Sequence, residues 1–295
     1  MKKMRDFTIK ERKKFQAWIR ALIQLACFIF FPSAFTTAFA GIKYLLTQIG
    51  AGEEIAWTPF VAVLAALCLF TILFGRFFCG FACAFGSLGD ALHGLYLYLL
   101  ANSKIIRRRS RKKPRKLPKS REKWLGAVPY IILAAIVLLC FSGIWDRISG
   151  LSPWEAFSML RAGNFKLKGH LAGLCLLGIL LAGMCMKERF FCRFLCPMGA
   201  AFSLLPVLPL SSLGRDRERC IPGCSACSRS CPAGIELPES GKKENAYGCF
   251  QCQKCVNVCP KGNIYCGIPQ IRGNEVLATL VKTAVLAGIF LWLDI

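Results

Sequence analysis

Five apolar stretches constrain this chain more than any other feature. They cover approximately residues 18–40, 56–77, 124–144, 169–187 and 276–293. Each is long enough, or nearly so, to cross a hydrocarbon core of about 30 Å as a helix of about 20 residues. Composition agrees, because 55% of the 295 residues are apolar and mean hydropathy is +0.47, too apolar for an ordinary soluble domain of this size. The first stretch follows a basic N-terminus (Lys2, Lys3, Lys10, Arg12, Lys13, Lys14). It outruns a signal h-region and lacks a small-residue cleavage signature, so it reads as a retained helix. The fifth contains Lys282, expected to snorkel to an interface.

Charge predicts orientation. The chain carries a formal net charge of +23, in blocks that flank the apolar stretches, as in membrane proteins with cytoplasmic basic loops rather than in nucleic-acid binders. Residues 104–123 hold twelve Lys/Arg against one acid, Glu122, whereas the connections near 41–55 and 145–168 are far less basic. The positive-inside rule puts the N-terminus and 104–123 in the cytoplasm, and alternation of spans puts residues 188–275 there too. The basic loop is expected to face lipid and fix topology; docking an acidic carrier is its other reading.

The chain repeats itself at a period of 113 residues. Gly75-Arg76-Phe77-Phe78-Cys79-Gly80-Phe81-Ala82-Cys83 aligns with Glu188-Arg189-Phe190-Phe191-Cys192-Arg193-Phe194-Leu195-Cys196. Each copy closes a helical hairpin, which predicts two pseudo-symmetric halves whose four cysteines meet on an inner face. On a continuous helix, Cys-x3-Cys would put two thiols on one face a turn apart, so Cys79, Cys83, Cys192 and Cys196 form a candidate additional redox or metal site. Packing as small apolar residues at helix ends is the alternative. Arg76 and Arg189 would offset thiolate charge or snorkel to lipid phosphates. Cys27, Cys68, Cys140, Cys175 and Cys185 lie within apolar spans, where cysteine packs as a small hydrophobe. Cys185 would share a face with Cys192, beside Met184 and Met186. Cys266 reads as a bystander.

The C-terminal third carries eight cysteines in two runs: Cys220-x3-Cys224-x2-Cys227-x3-Cys231-Pro232 and Cys249-x2-Cys252-x2-Cys255-x3-Cys259-Pro260. The second has bacterial ferredoxin spacing, in which three cysteines hold one 4Fe–4S cubane and the fourth reaches to the other. The expected sets are Cys220, Cys224 and Cys227 with Cys259, and Cys249, Cys252 and Cys255 with Cys231. Zinc sites use separated Cys-x2-Cys pairs, a poorer match. The first run has one extra residue after Cys220, with Pro222 and Gly223 in the gap; a wider turn would absorb it, or Cys220 would ligate poorly. The two histidines, His93 and His170, are expected on opposite membrane faces and so cannot share one haem. The chain has no Gly-x-Gly-x-x-Gly unit and no Gly-Lys-Ser/Thr loop, and hence no nucleotide fingerprint.

Paired Cys-x3-Cys units at helix ends, joined to a double-cluster ferredoxin segment, resemble the NapH/NosR-type polyferredoxin membrane proteins over about residues 18–265. The resemblance implies two 4Fe–4S clusters and electron transfer, often between membrane quinol and a reductase or maturation system. The chain departs from that pattern in carrying Ala84 where proline is usual and in adding a fifth helix after the ferredoxin segment.

The expected architecture is an α-helical integral membrane bundle of about five transmembrane helices with a small cytoplasmic α+β ferredoxin domain. Its parts are a first hairpin (1–103), a basic cytoplasmic loop (104–123), a second hairpin (124–213), a ferredoxin-like domain (214–272) and a C-terminal helix (273–295). The expected function is electron transfer between a quinone pool or cytoplasmic donor and a partner reductase or maturation system, as a redox subunit in the cytoplasmic membrane rather than a stand-alone catalyst. Two alternatives are a copper-type metal reductase or maturation factor using the Cys-x3-Cys thiolates, and an iron–sulfur redox sensor. Expected partners are membrane lipids, redox proteins and quinone, with no nucleic acid.

Overall fold

The computed structural model describes residues 2–102, 119–145, 149–164, 169–208, 212–235, 237, 248–267 and 275–294. Most of the basic segment 104–123 lies outside the described residues, as does the side chain of Cys266.

Each of the five apolar stretches contains a helix, although the first, 18–40, breaks after Phe30 and continues into a second helix from Ala34. These helices are α1 (Lys2–Phe30), α3 (Pro59–Phe74), α6 (Lys119–Phe141), α8 (Leu171–Met186) and α13 (Glu275–Trp292). Between them lie α2 (Ala34–Ala51), α4 (Phe77–Phe81), α5 (Ala84–Asn102), α7 (Pro153–Arg161), α9 (Phe190–Phe194) and α10 (Pro197–Leu204). Among the described residues, α6 and α13 alone are long and apolar enough to span singly. Two further spans arise if α1 and α2, bent by 59°, and α3 with the Phe77–Asn102 segment, bent by 97°, each count as one. The α8 helix, at 16 residues, is short for a straight crossing. The chain is therefore a largely helical membrane protein with two to four candidate spans. Trp18, Leu22, Leu25 and Ile29 form an exposed apolar stripe on α1, at the spacing of one helix face.

Contacts divide the chain into two units, each assembled from separated segments. The first comprises residues 1–32, 65–84 and 202–295. In it, α1 packs on α4 and α13, and α13 also packs on α4. Phe78 meets both Phe202 and Phe290 edge-on, and Phe77 stacks on Phe81. The cysteine-rich segment has little regular structure. Strands β1 (Ser212–Arg215) and β2 (Ile264–Gly267) pair antiparallel, Leu213 opposite Cys266, and α11 (Ala226–Arg229) packs against α12 (Lys254–Val258). Leu213, Leu237 and Ile264 supply its small core, together with Cys227, Cys255 and Cys259.

The second unit comprises residues 33–64 and 85–201. There α2 packs on α6 and α7, α8 on α7 and α9, and α9 on α6. Phe35, Phe85, Phe191 and Trp154 form its aromatic centre. The α7 N-terminus is dictated by sequence: Ser152 Oγ accepts from Glu155 N at 3.4 Å, with Pro153 in the first turn.

The 113-residue repeat is a repeat of backbone geometry. Helix α4, Phe77–Phe81, recurs as α9, Phe190–Phe194, and α5 begins at Ala84 as α10 begins at Pro197. Phe78 O accepts from Ala82 N and Cys83 N, at 2.9 Å each, and Phe191 O accepts from Leu195 N and Cys196 N at the same distances. The copies differ where each preceding helix stops. Gly75 takes a left-handed conformation (φ 69°) after α3, whereas glutamate replaces it in the second copy and the positive φ moves one residue on, to Arg189 (φ 52°).

Candidate functional site

The structure corrects the expected geometry of the Cys-x3-Cys units. Cys79 lies within α4 and Cys83 beyond its end, and Cys192 and Cys196 stand likewise about α9. The short helix closes on the Phe78 or Phe191 carbonyl, so the two thiols do not share a continuous helix face. Cys185 is the penultimate residue of α8 and is not on one helix with Cys192 either. All four thiols of the repeat are buried, Cys79 and Cys83 in the first unit, Cys192 and Cys196 in the second. Cys196 Sγ accepts from Gly199 N at 3.2 Å.

Neither repeat arginine snorkels. Arg76 is buried, with its guanidinium 4.9 Å from the Phe250 ring centroid, a cation–π contact made inside the protein. Arg189 is buried against Asp90 of α5. The two histidines sit at opposite ends of α8: His170 precedes its first residue, and His93 Nδ1 lies 2.9 Å from Cys185 O near its last. A 16-residue helix separates them by roughly 24 Å at 1.5 Å per residue, too far to share one metal. Cys27 and Cys140 pack in the interior, and Cys175 is exposed on α8.

In the first unit four of the eight ferredoxin-type cysteines come together. Cys231, Cys249, Cys252 and Cys255 line one apolar pocket with Pro232, Leu237 and Phe250. Cys231 reaches it across the gap between the two runs, and Gly234 N closes on Cys231 O at 3.1 Å to turn the chain there. Burial pushes the Cys255 thiol up, and the neighbouring Cys252, Cys249 and Cys231 thiols push it further. Burial also raises Cys231, against the lowering effect of the Ile235 N–H. Four thiols that repel one another's charge in an apolar cavity fit a group whose irons bring positive charge. Cys249 Sγ already accepts from Gln251 N at 3.3 Å.

Of the other four, Cys227 and Cys259 are buried in the segment's core beside Cys255, Cys220 is half-buried and Cys224 exposed. Cys227 Sγ lies 3.8 Å from Arg215 Nη1, and Cys259 Sγ accepts from Asn263 N at 3.4 Å. The extra residue after Cys220 forms a tight turn: Cys224 N donates to Ile221 O at 3.0 Å, with Pro222 and a left-handed Gly223 (φ 72°) at its centre. Proline then left-handed glycine is the chemistry of a type II turn. Among the described residues, no three His, Cys, Asp or Glu side chains are placed to hold a single metal ion.

The segment sits directly on the first Cys-x3-Cys unit. A side chain at Gly80 would collide with the Phe250 carbonyl, and one at Gly75 would strike the Gln251 amide. Gln24 of α1 holds the Gly80 carbonyl at 3.1 Å. On the other side, Gln251 and Gln253 bond Lys282 and Thr279 of α13. The sequence reading missed Gly80, Gln251 and Asp90, and misplaced Lys282. Lys282, a lysine within an apolar helix, was the available signal.

Comparison with known proteins agrees with this chemistry. A family described as a 4Fe-4S binding domain matches residues 55–114 and 169–210. Those stretches contain both Cys-x3-Cys units and none of the eight cysteines of the C-terminal segment. An uncharacterised protein of Methanocaldococcus jannaschii is 27% identical over 249 residues, 83% of this chain and 85% of its own length. The putative electron transport protein YccM of Escherichia coli is 24% identical, over 67% of this chain and 52% of its own length. The ferredoxin-type protein NapH of Haemophilus influenzae is 31% identical, over 39% and 43% respectively. No solved structure matches. The likeness to NapH/NosR-type membrane ferredoxins read from the cysteine units therefore holds.

Proposed function

The chain resembles the NapH/NosR-type iron–sulfur membrane proteins, and from that premise we propose that it carries electrons between a partner at the membrane surface and a membrane acceptor or donor such as quinone. Its general role is iron–sulfur electron transfer. The finer proposal assigns one 4Fe–4S cluster to Cys231, Cys249, Cys252 and Cys255, and a second to Cys220, Cys224, Cys227 and Cys259. Bound there, the clusters would supply one-electron carriers whose potential depends on their surroundings. The basic N-terminus and the 104–123 loop argue for a cytoplasmic ferredoxin segment in the cytoplasmic membrane.

The observation that carries the reading is the seating of the Cys249–Cys252 loop on the first Cys-x3-Cys unit, with Phe250 between Gly80 and Arg76. This packing sets the backbone of Phe250 and Cys252 against Gly80, next to buried Cys79. We propose Cys79 and Cys83, and likewise Cys192 and Cys196, as thiolates available for additional redox or metal binding, supported by the 4Fe-4S family match over both Cys-x3-Cys units.

Anaerobic purification in detergent, with iron and sulfide assays and EPR of the reduced protein, tests the reading. About eight irons per chain with two cubane signals are expected from the ferredoxin segment. Iron above that number, lost on Cys79→Ser or Cys192→Ser, would belong to the repeat thiols. Zinc in place of iron would overturn the proposal.

A further inference from the structure

Lys282 does not reach an interface. It is the eighth residue of the 18-residue helix α13 and is 4% exposed. Its Nζ donates to Gln251 Oε1 at 3.2 Å and stands 5.6 Å from the Phe77 ring centroid and 5.8 Å from that of Phe74. Gln251 is itself 5% exposed, lies between Cys249 and Cys252, and gives its backbone N–H to Cys249 Sγ. Three residues before Lys282, Thr279 Oγ1 accepts from Gln253 Nε2 at 2.6 Å, so α13 is tied to the loop on both sides of Cys252. One glutamine side chain thus carries the ammonium to the backbone of the cysteine loop.

Burying an ammonium in an apolar helix is costly, and here the charge is bonded to Gln251, in the loop that supplies Cys249 and Cys252 to a pocket lined by four thiols. We propose that Lys282 is a positioning residue that raises the reduction potential of the centre held by Cys231, Cys249, Cys252 and Cys255, by fixing a positive charge behind Gln251. The inference rests on the cluster assignment proposed above. Four thiolates outweigh the charge of a cubane core, and reduction adds one more negative charge. A nearby cation in a low-dielectric interior therefore favours the reduced form. Gln251 keeps the cation in place, and the Thr279 contact prevents α13 from sliding away.

The test uses the full-length protein in detergent, with iron assays and EPR-monitored redox titrations of Lys282→Gln, Lys282→Arg and Gln251→Glu. Lys282→Gln keeps a hydrogen-bond donor for Gln251 and removes the charge. It is expected to lower one of the two midpoints, shifting the oxidised-to-reduced ratio about tenfold at fixed ambient potential, roughly 59 mV for one electron. Lys282→Arg is expected to stay near the starting value. Gln251→Glu leaves the lysine in place but neutralises it locally, and should move the same midpoint in the same direction. Full iron with unmoved midpoints in Lys282→Gln and Gln251→Glu overturns the inference. So does equal loss of iron in the Gln and Arg variants, which would mark a packing role. Native protein lacking a cubane signal would instead overturn the cluster assignment beneath it.

Discussion

Arg189 and Asp90, far apart in sequence, form a buried ion pair: Arg189 Nη2 lies 2.7 Å from Asp90 Oδ2, and Nε lies 3.1 Å from Oδ1. The arginine side chain is fully shielded from solvent and that of the aspartate is 10% exposed. The pair holds Arg189 in a left-handed backbone conformation that costs a non-glycine residue about 1–2 kcal/mol, at the point where α8 gives way to the Cys192 unit. Removing one partner of a buried pair strands the other's charge. Asp90→Asn should therefore destabilise the protein by roughly 3–5 kcal/mol, read as a lower midpoint of thermal unfolding in detergent. The double variant Asp90→Asn/Arg189→Met should recover part of the loss. A single variant as stable as the native protein would show that the pair contributes nothing.

Gly80 predicts a steric effect with a chemical readout. Its missing side chain is the space occupied by the Phe250 carbonyl, and Cys252 N lies 3.5 Å from where a Cβ would stand. Gly80→Val must push the Cys249–Cys252 loop away from α4, and overpacking of this kind costs about 1–3 kcal/mol. The expected result is faster loss of iron to a chelator, with the protein still membrane-inserted. Gly94→Ala, on α5 with nothing within 4 Å of its Cβ position, serves as the control and should lose iron at the native rate.

Much of this organisation is legible in the sequence because it is local. Turn chemistry at Pro222-Gly223, capping at Ser152 and the conformation of each copy of the repeat all follow from neighbouring residues. The apolar stretches locate helices for the same reason. Bends at Phe31–Ser33 and Gly75–Arg76 are less visible, since hydropathy measures content rather than direction, and they decide whether two helices make one span or two. The roles of the buried charges are not local at all. Arg76 and Arg189 occupy equivalent repeat positions, yet one stacks on Phe250 and the other pairs with Asp90. Lys282 fits a snorkelling pattern on α13 alone, and its burial follows from distant partners, Gln251, Phe74 and Phe77. Tertiary partners decide these cases, and spacing does not encode them.

The two ferredoxin-type cysteine groups differ in access to water, which predicts unequal lability. Cys224 is exposed and Cys220 half-buried beside buried Cys227 and Cys259, whereas the other set has no exposed member: Cys231 and Cys249 are half-buried and Cys252 and Cys255 buried. Reactivity of sulfur ligands towards oxidants follows exposure. On treatment with ferricyanide and chelator, iron should leave in two phases, about four atoms per chain in each. EPR should lose the two-cluster interaction with the first phase. A single phase would show that the extra turn after Cys220 leaves both groups equally protected.

The position of Cys231 yields the sharpest test of how the thiols are shared. In sequence it closes the first run, directly after Cys227; in space it lines the pocket of Cys249, Cys252 and Cys255. If those four act together, Cys231→Ser should remove about four irons per chain and leave the signal of a single, uncoupled cubane. Adding Cys252→Ser should then cost no further iron, because residues that serve one centre are not additive. Adding Cys227→Ser should remove the rest. The opposite pattern, with Cys231→Ser and Cys227→Ser redundant and Cys252→Ser additive, would assign the four cysteines of each run to one cluster. Measured as iron per chain with the EPR of each double variant, the two connectivities give different answers from the same preparations.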